Sequence, residues 1–459
     1  MKRIFNATII KKDTTEKVDI IIDHDRILEV SQPGKYRSSK FDEEIDANKL
    51  IVFPGFIDSH VHFDDPGFTE REDFETGTRS AVAGGVTTVI DMPCTSVPPV
   101  IDEEAFVKKL SVVSKKAICD FSFWGGVTPY QIQNGTYQKT ILELAKLGVV
   151  GFKFYTISGM ELYPRMSVKN LHKAFSLIKD YNLICAVHAE DFELVDFYSD
   201  LLMNSGRKDP DAWVEGRVYE AEPMAILEVV GITRKIGNKL HIVHLSTEEG
   251  LKIVKWAKEH KIDITTETCP HYLVFTSKDL NEKGSILKTT PPIREEEDRD
   301  ALWEGLRDGT IDFLVTDHAA GIYPDEKIKD SIFENYAGIP GVETLFSVVS
   351  TFGFHKKRLT LQKIQEIMSE RTAKRFGLTS KGKIEVGYDA DFAFVDLNRV
   401  WSLEAGKLQS KGKYSPFEGF TLKGKVVKTM VRGKIVYDGD SETFGEKGSG
   451  KFIRSSLFK

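Results

Sequence analysis

The segment GFIDSHVHFDDPG, residues 55–67, ends an apolar run on His60 and His62, with one residue between them. Side chains two apart on a strand point to the same face, so these imidazoles can grip one cation together. A lone His-x-His pair serves equally well as polar filler at a strand end. Lys153, within GVVGFKFY, and Asp317, within LVTDHAA, are harder to place as filler. A charged group in an apolar strand must find a partner or give up its charge. His188 and His244 close the runs ICAVH and HIVH, and either one alone reads as a hydrogen-bonded core histidine. What the six share is position, because each falls at or near the C-terminal end of a run that reads as a strand.

The elements that would position them follow a regular rhythm. Short apolar runs recur at 50–57, 86–92, 117–127, 149–155, 183–188, 239–246, 263–269 and 312–316. Amphipathic stretches of helical period lie between them, as at 102–113, 168–179, 223–235, 247–258 and 297–306. Strand and helix in alternation signal a parallel α/β sheet. Eight repeats over about 320 residues predict a (β/α)8 TIM-type barrel across 54–375, with its site at the C-terminal rim of the strands. No GxGxxG follows the first strand, which argues against an open dinucleotide-binding sheet. Residues 1–53 and 376–459 instead alternate apolar and polar positions between Gly and Asp turns. They predict a small β-sandwich domain formed by both chain ends, followed by a tail.

Bulk composition narrows the class without naming it. The chain has 459 residues, 41% hydrophobic and 29% charged, as in an ordinary soluble protein with one large architecture and an accessory domain. A net charge of -6 gives no reason to expect nucleic acid or an anionic membrane as partner. Cys94, Cys119, Cys185 and Cys269 are scattered with no CxxC, which reads as reduced thiols. The start, MKRIFNATIIKKDTTEKVDIII, is broken by charges and is neither signal peptide nor anchor. No apolar run approaches the roughly 20 residues of a spanning helix, so a cytoplasmic location is expected.

Beyond composition, GFIDSHVHFDDPG, ETGTRSAVAGGVTTVIDMP, GFKFY, VHAED, HIVHLS, ETCPHYL, TTPPIR, TDHAA, GIPGVET and KYSPFEG follow one another in unbroken order. They resemble the cyclic-amidohydrolase branch of the amidohydrolase superfamily, which includes dihydroorotase, allantoinase, hydantoinase and dihydropyrimidinase. The resemblance implies two divalent metal ions, usually zinc, with manganese, iron or cobalt left open. It implies that His60, His62 and Asp317 hold one ion, and His188 and His244 the other. Lys153, carboxylated on its amine, would bridge them, since an ammonium has no lone pair for a cation whereas a carbamate offers two anionic oxygens. A water activated between the ions would attack a ring carbonyl, with Asp317 passing its proton to the leaving ring nitrogen. The product would be an N-carbamoyl compound. His271 and His318 could line the site, although a supporting hydrogen-bonding role suits them better. His24, His172, His260 and His355 fall outside the rim, and His241 reads as packed on the opposite strand face. Family members often form dimers or tetramers, so a homo-oligomer is expected.

Four positions bear on which ring is opened. Dihydroorotases carry an arginine two residues after the second histidine, where this chain has Asp64, a charge that would repel a carboxylate. Cys94 and Thr290 stand where dihydroorotases carry asparagines, and Gly321 where they carry a histidine. Dihydropyrimidinases place a tyrosine five residues after the bridging lysine; here that residue is Ser158, and Tyr155 is expected to face away. Asp64, Cys94, Ser158 and Thr290 are therefore the expected substrate contacts. The pattern leans towards an allantoinase-like activity on an uncharged ureide, with hydantoinase-type ring opening as the alternative. A metal-free scaffold relative is a rival from another class, but such proteins lose the ligands that are all present here. GEKGSGK, residues 445–451, almost spells a phosphate-binding loop; Phe452 follows instead of Ser or Thr, and the segment reads as a flexible tail. No GxSxG supports a serine hydrolase.

Overall fold

The computed structural model describes residues 1–12, 14–36 and 39–458. Five strands come first: β1 (Lys2–Lys11), β2 (Thr14–Asp23), β3 (Arg26–Ser31), β4 (Glu43–Asp46) and β5 (Ile51–Pro54). A parallel set follows: β6 (Phe56–His62), β7 (Val86–Asp91), β8 (Asp120–Phe123), β9 (Gly125–Gly126) and β10 (Gly151–Tyr155). It continues with β11 (Ile184–His188), β12 (Lys239–Ile242), β13 (Ile264–Thr268), β14 (Phe313–Leu314) and β15 (His318–Ala319). The chain closes with β16 (Phe392–Ser402), β17 (Thr421–Val431), β18 (Lys434–Asp438) and β19 (Thr443–Phe444).

Both chain ends build one sheet, in the order β19-β18-β17-β16-β5-β1-β2-β3, with β4 beside β1. Alternation explains its buried face. Ile4, Ala7 and Ile9 of β1 meet Val18, Ile20 and Ile22 of β2, and Phe392, Phe394 and Met430 from the other end complete this second core. The single apolar run predicted at 50–57 is divided between two sheets. β5 pairs antiparallel with β16, whereas β6 starts the parallel set. Gly55 makes the turn because a Cβ there would lie 2.1 Å from Thr87 Oγ1.

The parallel strands lie in two groups, β15-β6-β7-β8 and β14-β13-β12-β11-β10-β9. The Val150 amide donates to Phe123 O across the gap beside β8, at 3.1 Å. The eighth predicted run, 312–316, is a strand only at 313–314, where β14 pairs with β13, while β15 lies beyond the run and pairs with β6. The run at 117–127 is likewise two strands, broken at Trp124, whose indole donates to Ser59 O at 3.0 Å. Helices cover the outside with the expected stripe. Val168–Asp180, capped by Ser167 on the Asn170 amide, buries Leu171, Ala174, Phe175 and Ile178.

Lys381 ties the terminal sheet to the N-terminal end of β8. Its ammonium, fully buried, lies 2.5 Å from Asp120, 2.7 Å from Asp391 and 2.9 Å from Asp389. The segment expected to be a flexible tail is docked on the same end of the strands. Gly450 donates to Ala117 O, Lys451 N to Asp120 Oδ1 at 2.8 Å, and Phe452 packs among Phe106, Phe121 and Phe123. An aromatic anchor and backbone pairing hold it there, which its Gly-rich composition concealed. Among the described residues no helix is long and apolar enough to cross a membrane.

Candidate functional site

β6 carries His60 and His62 on one face, and the break between β14 and β15 turns Asp317 towards them. Asp317 Oδ1 is 3.1 Å from His60 Nε2 and 3.3 Å from His62 Nε2. His188 ends β11 and His244 follows β12, with His188 Nδ1 2.9 Å from His244 Nε2. The His60 ring joins the two groups, its centroid 5.3 Å from that of His62 and 5.4 Å from that of His244. Backbone geometry at these strand ends is unusual. His244 (φ 37°), Asp317 (φ 49°) and Asp64 (φ 55°) all adopt the left-handed conformation that ordinary residues avoid. Such strain concentrates at functional sites.

Lys153 lies in β10 beneath this group. It is 0% exposed, and its ammonium has no hydrogen-bond partner among the described residues. The Tyr155 ring lies beside it, with its centroid 4.7 Å from the ammonium. Burial pushes the Lys153 ammonium down to about 8. Burial and the nearby cationic groups also push His60 and His244 well below the usual imidazole range, leaving them neutral. His60 Nε2 and His244 Nδ1 are buried without a hydrogen-bond partner among the described residues; the former is near Asp317 but poorly aligned with it.

Supporting carboxylates complete the arrangement. Glu267 of β13 receives His60 Nδ1 at 2.5 Å on one oxygen and His241 Nε2 at 3.0 Å on the other. Glu190 receives His188 Nε2 at 2.8 Å and Arg217 at 2.5 Å. Burial opposes its ionisation, but Arg217 and His188 hold the carboxyl down at about 2. The carboxylates behind His60 and His188 fix their tautomers and turn the other ring nitrogen of each towards the site. The donor set therefore fits divalent ions: His60 and His244 imidazoles held well below their usual range, one carboxylate, and buried nitrogens and a buried amine that lack a hydrogen-bond partner among the described residues. At His62 burial is outweighed by Cys94 and Asp317, which raise the imidazole to about 10. His241 is packed as expected, stacked on Trp124, yet it also supports Glu267. His318 is drawn away to Glu72 and the Val342 amide. His271 is buried outside the cleft wall, and His24, His172, His260 and His355 lie elsewhere.

A cleft of about 750 Å³ opens above the group and is lined by His60, His62, His188, His244 and Asp317. Cys94, Ser158 and Thr290 also line it. The Ser158 hydroxyl is partly occupied, donating to Tyr163 O at 2.8 Å and accepting from Met160 N. Asp64 departs from its expected role. Its side chain is buried outside the cleft wall, and burial raises its carboxyl to about 7. Tyr155 also departs from expectation, because it faces the cleft, stacks on His188 and places its hydroxyl 3.0 Å from Cys94 Sγ. Lys153 and Tyr155 are two apart on one strand and must share a face. Arginines do reach the cleft, but Arg71 is bound to both oxygens of Glu326 and Arg217 to Glu190. Glu267, Glu190 and these arginines were missed in the sequence; Glu267 alone carried a signal there, as a charge within the strand ITTET.

The sequence profile of the amidohydrolase family matches residues 51–436. An allantoinase of Rubrobacter xylanophilus is 36% identical over 90% of this chain and 89% of its own length. An allantoinase of Bacillus licheniformis is 34% identical over 98% of both chains. Among solved structures, the L-hydantoinase (dihydropyrimidinase) of Arthrobacter aurescens superposes with a TM-score of 0.93 at 29% identity, covering 99% of both chains. With a profile match across most of its length and relatives of this similarity along nearly all of it, the chain belongs to the amidohydrolase family.

Proposed function

We propose that this protein hydrolyses the ring amide of allantoin to give allantoate, in a cleft built on two divalent metal ions. The observation that carries this reading is the convergence of His60, His62, His188, His244 and Asp317 above Lys153, a fully buried amine without a hydrogen-bond partner among the described residues. His60, His62 and Asp317 would hold one ion, His188 and His244 the other, and Lys153, carboxylated by carbon dioxide, would reach both. Zinc suits these ligands. Bound there, such ions supply positive charge that polarises a carbonyl and lowers the pKa of water towards about 7.

The chain's own groups perform the remaining work. Glu267 and Glu190 hold His60 and His188 in one tautomer and orientation. Asp317 Oδ1, beside both β6 imidazoles, takes the proton of the attacking water and returns it to the leaving ring nitrogen. Cys94, Ser158 and Thr290 would contact the ring from the cleft wall. The arginines that could clamp a substrate carboxylate are already paired with Glu326 and Glu190, which supports an uncharged ureide.

The layout that goes with this reading is a (β/α)8 barrel over 54–375, with 1–53 and 376–459 forming a β-sandwich. A cytoplasmic homo-oligomer, dimer or tetramer, completes the proposal. A second reading, hydantoinase-type ring opening, is favoured by the apolar side chains at the cleft mouth, among them Phe68, Val97, Ile157, Met160 and Leu162. Initial rates on allantoin, hydantoin, 5-substituted hydantoins, dihydrouracil and dihydroorotate decide between them. Allantoin is expected to give the highest kcat/KM; a preference for dihydroorotate would contradict both readings.

A further inference from the structure

Part of the wall of the cleft is the segment Asn335, Tyr336 and Ala337. It belongs to a long loop after β15 with little regular structure of its own. Two lysines reach it from within the protein, and neither has an ion pair with a carboxylate among the described residues. Lys288 is 2% exposed, and its ammonium donates to Ile332 O at 2.6 Å and Asn335 O at 2.5 Å, above the Trp213 ring at 3.8 Å. Lys327 is 0% exposed and donates to Tyr336 O at 2.8 Å and Gly338 O at 3.0 Å.

A buried ammonium ordinarily pairs with a carboxylate or gives up its proton. Here backbone carbonyls alone satisfy two of them, which requires those carbonyls to converge and stay in place. Burial accordingly pushes Lys288 down to about 7 and Lys327 well below the usual lysine range. The same segment is held from other sides. The Tyr336 amide donates to Glu326 O, the Gly338 amide to Lys288 O, and Arg71 lies over the Tyr336 ring at 4.5 Å. Lys288 also lies two residues before Thr290, which lines the cleft.

We propose that Lys288 and Lys327 are positioning residues that fix the Asn335–Ala337 wall against the bound ring, setting substrate affinity and leaving the chemical step to the histidine side of the cleft. This inference rests on the cleft being the active site. The tests are hydrogen–deuterium exchange of residues 329–338 and steady-state kinetics on allantoin, for wild type, Lys288→Met, Lys327→Met, Lys288→Arg and the exposed Lys329→Met.

In the two methionine variants the Tyr336 and Gly338 amides should exchange about tenfold faster or more, and KM should rise roughly tenfold with kcat within about threefold. Lys288→Arg, which keeps the charge and the donors, should recover part of both effects, and Lys329→Met should match wild type. Unchanged exchange in both methionine variants would overturn the proposal, as would a fall in kcat at constant KM. Should wild type turn over no ureide, the assignment of activity fails, while the exchange data still decide whether these lysines hold the wall.

Discussion

Two fully buried lysines stand at opposite ends of the parallel strands, and their surroundings differ in every respect that matters. Lys381, at the N-terminal end, is enclosed by Asp120, Asp389 and Asp391, with Arg432 bound to Asp120 as well. These carboxylates could be mistaken for metal ligands, but an ammonium already occupies their centre, and they raise its pKa in spite of burial. Lys153, near the C-terminal end, has no hydrogen bond or ion pair to a carboxylate among the described residues, and burial lowers it to about 8. One cluster is electrostatically complete and joins the terminal sheet to β8. The other is incomplete, with the His60 and His244 imidazoles pushed well below their usual range and the backbone strained at His244 and Asp317. Unfinished electrostatics in a buried cluster point to a missing charged group, whereas a finished network points to architecture.

Substitutions should separate the two ends cleanly. Lys153→Ala should abolish ring opening, with kcat/KM on the best ureide down by at least about 1,000-fold, while thermal unfolding shows the fold retained. Lys381→Met should do the reverse. It strands three carboxylates in the interior and should lower unfolding stability by roughly 3–5 kcal/mol in denaturant titration, with kcat of the surviving folded fraction unchanged. If Lys381→Met selectively removed activity, the contrast would be void.

A subtler probe is Glu267→Gln, which weakens the support of His60 without removing a ligand. Metal affinity should fall about 10–100-fold in competition with a chelator, at nearly constant stability. An effect of pH is also expected. Glu222 is 1% exposed beneath the Ser246–Thr247 turn, and burial raises its carboxyl from 4.5 to about 7. Between those values the folded state binds more protons than the unfolded one, so stability falls as pH rises. Relative to Glu222→Gln, wild type should lose up to about 3 kcal/mol between pH 5 and pH 8, read by urea unfolding at each pH. A pH-independent difference would mean the carboxyl titrates normally.

Much of the site was legible in the sequence because its residues break local rules. Lysine in GFKFY, histidine in FIDSHVH and aspartate in LVTDHAA are polar groups where the strand pattern demands apolar ones, and the C-terminal rim gathers them. Tyr155 was equally legible from its spacing to Lys153, since i and i+2 share a face, and expecting it to face away set that rule aside. Asp64 misled for the opposite reason. Its identity is visible in sequence, but its burial outside the cleft is set by packing and by a left-handed backbone. Partners such as Glu190 with Arg217, or Lys288 with the Asn335 carbonyl, join residues far apart in the chain and leave no periodic trace. The end-sheet strands were readable from alternation, but the pairing of β5 with β16 depends on tertiary structure alone.

The most direct test of the metal-centre account is the metal content of the purified protein, grown with zinc and bicarbonate and measured by elemental analysis beside Lys153→Ala. The expected result is about two divalent ions per wild-type chain and a loss of most bound metal in the variant. Less than one ion per wild-type chain, or full occupancy without the Lys153 amine, would contradict it.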